Sequence, residues 1–111
     1  DGSYMFANPV ACHQVAESMK LPVLTIVCNN RRWNAVRAAT MEIYPDGTAS
    51  KANVVPITTL DPSPAFEKVV EASNGYGEKV EDPEKLPEAI ERALKVVKKE
   101  RRQALLNVIT Q

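Results

Sequence analysis

Asp1-Gly2-Ser3 at one end of a 30-residue stretch and Asn29-Asn30 at the other are the residues of this chain whose types and spacing suit chemistry. A carboxylate and a carboxamide both offer hard oxygen to a small divalent cation, the donor type that suits Mg²⁺ shared between protein and a phosphorylated ligand. Taken singly, Asp-Gly-Ser is a common turn and Asn-Asn a common loop. Their pairing around a helix and an apolar strand is more specific, because that layout returns the chain to the same edge of a parallel sheet, where α/β folds bind ligands.

The elements that must position these residues follow from periodicity. Asn8-Pro9 offers a side-chain cap and a first-turn proline, and Ala11, Cys12, Val15, Ala16 and Met19 recur at helical spacing, which predicts a helix over 8–20. Residues 23–28 form a short run rich in β-branched residues with almost no polar alternation, as in a central parallel strand covered on both faces. A second helix is expected over 34–43, ended by Pro45-Asp46-Gly47, and from there to Asp61 the chain reads as a long loop containing Ser50, Asn53, Pro56 and Thr58-Thr59. Ser63-Pro64 repeats the cap-plus-proline signal before a helix with Phe66, Val69 and Val70 on its buried stripe, closed at Asn74-Gly75. A short strand over 77–80, an amphipathic helix over 87–100 with Leu86, Ile90, Ala93, Leu94 and Val97 on one face, and a strand over 104–109 complete an α/β pattern with a mainly parallel sheet and helices on both faces.

At 111 residues with 44% hydrophobic content, the chain is one domain at most, with a modest core. Fourteen basic and fourteen acidic residues cancel, so no global field recruits nucleic acid or an anionic membrane surface. The cluster Lys95, Lys98, Lys99, Arg101 and Arg102 lacks interleaved aromatics and reads as a solvated face. Cys12 and Cys28 sit in apolar contexts without paired spacing, which suits reduced, buried thiols and a cytoplasmic setting. No apolar run reaches membrane-spanning length. His13, with Glu17 four residues on, reads as a routine surface pairing.

Asp1-Gly2 followed by Asn29-Asn30 resembles the Gly-Asp-Gly…Asn-Asn diphosphate-binding signature of thiamine diphosphate-dependent enzymes. The signature's first glycine would precede Asp1, so the chain is expected to be a piece of a longer polypeptide and the fold an incomplete version of that family's. The resemblance implies Mg²⁺ held by Asp1, Asn30 and the backbone carbonyl of Arg32, with two diphosphate oxygens and a water completing six sites. It also implies that Gly2 and Ser3 face the diphosphate. Trp33 either covers the cofactor or packs into the core.

Asn34-Ala35-Val36-Arg37 resembles the Gly-Met-Val-Arg stretch of acetolactate synthases, which places Ala35 and Val36 toward a substrate pocket. Residues 64–72 and 77–86 resemble the closing region of the same branch. The resemblance implies a parent that is a thiamine diphosphate-dependent decarboxylase or carboligase acting on a small 2-oxo acid, a homodimer or homotetramer with its active site between domains. Residues 1–111 then form the C-terminal portion of the diphosphate-binding domain, requiring the remainder of its own polypeptide for turnover, with no catalytic residue of its own. Two readings from other classes fit the same residues, a non-catalytic metal–diphosphate binding module and a structural remnant of an oligomer. Magnesium-dependent cofactor binding separates the first from the second.

Overall fold

The most apolar strand of the sequence, Ala104–Ile109, occupies the middle of the sheet. In the computed structural model, which describes residues 1–52, 54–55 and 57–110, it lies parallel to a neighbour on each side. The elements in chain order are α1 (Gly2–Phe6), α2 (Pro9–Ser18), β1 (Leu24–Asn29), α3 (Asn34–Ile43), α4 (Thr48–Lys51), α5 (Phe66–Glu71), β2 (Tyr76–Val80), α6 (Leu86–Lys95) and β3 (Ala104–Ile109). A 3₁₀ turn, Pro83–Lys85, leads into α6 and a π-type turn, Val96–Glu100, leads out. The strand order is β1-β3-β2, with Leu24 opposite Ala104 and Tyr76 also opposite Ala104. This is the α/β architecture that the periodicity implies.

Helices cover the sheet on both sides. Val27 and Leu105 pack with Phe66 and Val70 of α5, joined by Tyr4 and Met5 of α1. On the opposite face Val80, Ala104 and Leu106 pack with Ala89 and Ala93 of α6 and with Val96. Two alanines at the α6 contact let that helix approach closely, so the innermost residues there are Ala89, Ala93 and, in the turn that follows, Val96, while Leu86, Ile90 and Val97 flank them. Close approach matters equally under α5. A Cβ added to Gly77 in β2 would strike the Glu67 carbonyl group, so the absence of a side chain sets the depth at which α5 sits.

Several expectations change. β1 is an edge strand of the described sheet rather than a central one, and Ile26 is 47% exposed. Continuous apolarity reports a strand with two apolar faces but does not say which neighbours are present. β3 is the strand covered on both faces, with Ala104, Leu105, Leu106 and Asn107 all buried. Asn8 has left-handed backbone (φ 53) and makes no side-chain cap. A short polar residue tolerates that conformation, and its carbonyl receives the Cys12 N–H. Ser63 does not cap α5, which begins only at Phe66.

His13 is buried rather than on the surface, and Glu17 pairs instead with Lys20. Cys12 and Cys28 are free thiols as expected but are exposed rather than buried, and the Cys12 thiol donates to the Ala7 carbonyl at 3.2 Å. The expected loop contains α4, and its Asn53 and Pro56 lie outside the described residues. No helix among the described residues is long and apolar enough to cross a membrane.

Candidate functional site

The carboxyl end of β1 and the start of α1 meet at one cleft. Asp1 reaches it because its amino nitrogen donates to the Cys28 carbonyl (2.9 Å), tying the residue to the end of β1. Its carboxylate then does two things. One oxygen accepts the Gly2 N–H at 2.8 Å, which caps α1, and the other accepts the Arg32 N–H at 3.3 Å.

Asn30 Oδ1 accepts that same Arg32 N–H at 3.0 Å. A carboxylate oxygen and a carboxamide oxygen from residues far apart in sequence therefore converge on a single peptide N–H. The Arg32 carbonyl receives no hydrogen bond among the described residues, and its side chain is exposed. The segment after it is fixed from the far side. Arg32 bridges Thr59 in antiparallel fashion, the Trp33 N–H donates to the Thr58 carbonyl at 2.8 Å, and the Leu60 N–H donates to the Arg31 carbonyl at 2.8 Å.

Asp1, Gly2, Ser3, Asn30, Arg32 and Trp33 all line this cleft of about 450 Å³. Ala35 and Val36 line it too, because α3 begins directly after Trp33. Phe6, Cys28 and Asn34 share the wall and were not singled out from sequence. Phe6 carried a usable signal, since it falls one helical turn beyond Gly2 and so returns to the same side of α1.

Trp33 is half-buried against Phe6, with ring centroids 5.3 Å apart, and its Nε1–H is buried without a hydrogen-bond partner. A Cβ at Gly2 would lie 3.2 Å from Trp33 Cδ1, so glycine is what lets the indole close against α1. Gly2 thus acts through space as well as through its N–H, which the Asp1 carboxylate already holds.

A second polar group anchors α1 from below. Both N–H bonds of the Gln103 amide are committed, to the His13 and Ser73 carbonyls, each at 3.0 Å. Its Oε1, 2.7 Å from His13 Nδ1, must therefore accept a proton from that ring nitrogen, leaving Nε2 to accept from the Tyr4 hydroxyl at 2.9 Å. Burial, followed by the nearby Cys12 thiol, pushes the Tyr4 hydroxyl up to about 12, so it stays protonated and able to donate. The ring of Tyr4 also meets Phe66 edge-on, with centroids 5.4 Å apart. The residue directly after Ser3 is thereby locked to α2, α5 and β3.

The donor set has the chemistry of a hard-cation site with an unusual charge balance. It contains one carboxylate, one carboxamide and one free peptide carbonyl, and no group of three or more His, Cys, Asp or Glu side chains gathers anywhere among the described residues. Such a set fits an ion that brings its own anionic ligand. The cleft volume is within the usual range for small-molecule clefts, about 300–1,000 Å³.

Comparison with known proteins is in line with this geometry. No curated protein and no solved structure matches the chain. A family model described as thiamine pyrophosphate enzyme, C-terminal TPP binding domain, matches residues 1–108, nearly its whole length. The chain therefore belongs to the C-terminal, thiamine pyrophosphate-binding domain family of thiamine pyrophosphate enzymes.

Proposed function

We propose that this chain anchors the diphosphate of thiamine diphosphate through Mg²⁺, as the cofactor-holding segment of a 2-oxo acid decarboxylase or carboligase resembling acetolactate synthase. The observation that carries the reading is the convergence of Asp1 Oδ2 and Asn30 Oδ1 on the Arg32 N–H in one cleft. Asp1, Asn30 and the Arg32 carbonyl supply the protein's share of metal oxygens. Ser3 faces the diphosphate, and Trp33 and Phe6 form the apolar wall. Ala35 and Val36, on the first turn of α3, lie toward the substrate side. When bound, the cofactor supplies the carbon nucleophile and the electron sink for bond cleavage next to a 2-oxo carbonyl. The residues here bind and orient it, and the groups that move protons belong to the remainder of the polypeptide and to a partner subunit in a homodimer or homotetramer. The free thiols of Cys12 and Cys28 suit a cytoplasmic setting.

Calorimetric titration of thiamine diphosphate into the full-length protein at several Mg²⁺ concentrations tests the reading. Asp1→Ala and Asn30→Ala each remove one metal oxygen. Loss of an interaction with a charged partner is worth about 1.5–3 kcal/mol, so each variant should bind about tenfold or more weakly. Asp1→Ala should lose more, since it removes the single carboxylate of the set. Wild-type affinity in both variants rejects these residues as ligands.

A further inference from the structure

Asn29 stands beside the candidate ligand Asn30 but does not line the cleft. It is fully buried at 0% exposure, on the same face of β1 as Val27. Asn107 on β3 is 1% exposed. Two carboxamides sealed beside Phe66, Val70 and Leu105 are costly unless each polar atom is satisfied. Here each of their polar atoms has a partner. Asn29 Nδ2 donates to Ser63 Oγ (2.9 Å) and to Asn107 Oδ1 (3.0 Å), and Asn29 Oδ1 accepts the Arg31 N–H (2.9 Å). Asn107 Nδ2 in turn donates to Glu67 Oε2 at 2.7 Å, a charge-assisted bond.

The donating end of this chain of bonds, the Arg31 N–H, belongs to a strained residue. Arg31 has φ 58, a left-handed conformation that costs a non-glycine residue about 1–2 kcal/mol. Such a residue persists only where its surroundings hold it, and Asn29 Oδ1 holds its N–H. The same bend turns the next N–H, that of Arg32, toward the Asp1 and Asn30 oxygens.

We propose that Asn29 is a positioning residue of the cleft: braced by Asn107 and, through it, by Glu67, it fixes the loop 30–32 whose oxygens take the metal. It acts through Arg31 and touches no ligand. Where it concerns the metal, the proposal rests on the Mg²⁺–diphosphate reading. Its structural half does not.

Two readouts separate the halves. Amide hydrogen exchange, followed by NMR without cofactor, reports on the loop, and calorimetry of thiamine diphosphate with Mg²⁺ reports on the site. Glu67→Ala and Asn107→Leu should speed exchange at the Arg31 N–H about tenfold or more and weaken Mg²⁺-dependent binding, while the central amides of β3 keep wild-type rates. Glu67→Gln retains an acceptor oxygen and should restore both readouts. Should Asn107→Leu fail to fold, Glu67→Ala decides, because Glu67 is only half-buried. Wild-type exchange at Arg31 in Glu67→Ala overturns the proposal, as does an even acceleration across the whole sheet. If the exchange differences hold but the wild-type protein binds no thiamine diphosphate with Mg²⁺, the cofactor reading falls and the positioning of the loop by Asn29 stands.

Discussion

Gly77→Ala adds one methyl group at the point where α5 lies deepest on β2. The new Cβ would overlap the Glu67 carbonyl oxygen and lie 2.8 Å from its carbonyl carbon and 3.2 Å from its Cα. Carbon atoms in contact prefer about 3.5–4.0 Å, so the helix must retreat by roughly 1 Å. The obstacle is backbone, which no rotamer change relieves. Overpacking of this kind costs about 1–3 kcal/mol, and replacing a strand glycine returns about 0.5–1 kcal/mol. With the upper end of the cost expected for a backbone clash, the net loss is about 2 kcal/mol. For a domain of this size that lowers the melting temperature by about 8 °C. Gly47→Ala is the contrast, since its Cβ would meet Tyr44 at 3.1 Å and 3.2 Å in a more open place, and it should cost less than about 1 kcal/mol. Thermal and urea melts of both variants read the difference. A Gly77→Ala melt within about 2 °C of wild type would show that α5 has slack against the sheet, and the close-packing argument would be wrong. The variant has a second consequence, because a retreating α5 carries Glu67 away from Asn107.

Two further perturbations probe other parts of the molecule. Gly2→Ala presses on Trp33, so tryptophan emission and Mg²⁺-dependent affinity should both change while stability stays within about 1 kcal/mol, the steric cost being offset by alanine's helix propensity; unshifted emission with wild-type affinity refutes the close contact. The Arg92 guanidinium beside Glu78 holds that carboxyl below its ordinary 4.5, against an opposing effect of burial. A depressed carboxylate stabilises the fold above the unfolded-state value and loses that contribution as pH falls through the folded one. The stability gap between wild type and Arg92→Leu should therefore be present at neutral pH and close below about pH 4.5, and a gap independent of pH assigns the effect to packing instead.

Helix α3 and strand β3 begin and end where periodicity places them, because each is a regular run bounded by turn chemistry. α6 is equally legible, although its last turn opens into a π-type turn that no pattern signals. The cleft residues were legible as a group because the Asp-Gly and Asn-Asn strings flank a strand, and strand ends are where a parallel sheet brings loops together. What was not legible depended on partners distant in sequence. His13 reads as a surface residue until Gln103, ninety positions away, arrives beneath α2. Asn107 sits in an apolar strand, where a lone polar residue signals nothing until Asn29 and Glu67 are beside it. The caps expected at Asn8 and Ser63 failed for a related reason. Both residues follow the local rule, but Asn8 is used for a left-handed turn and Ser63 Oγ accepts from Asn29.

The charge balance of the cleft constrains how the proposed ligands assemble. A single carboxylate offers Mg²⁺ one negative charge, and Mg²⁺ gives up its water reluctantly, so it is held through one or two carboxylates plus phosphate oxygens rather than by an all-protein cage. Asp1 Oδ2 and Asn30 Oδ1 share the Arg32 N–H, so the proposed site carries one negative charge from the protein and would draw the rest from the diphosphate. In the proposed site, metal and diphosphate would complete each other's coordination. Thermodynamic linkage requires any factor by which Mg²⁺ tightens thiamine diphosphate to equal the factor by which thiamine diphosphate tightens Mg²⁺. On the proposed reading, the strained Arg31 turn and its buried Asn29 brace would serve that coupling by keeping the two oxygens together before either ligand arrives, so that the ordering cost of the loop is met in folding rather than in binding.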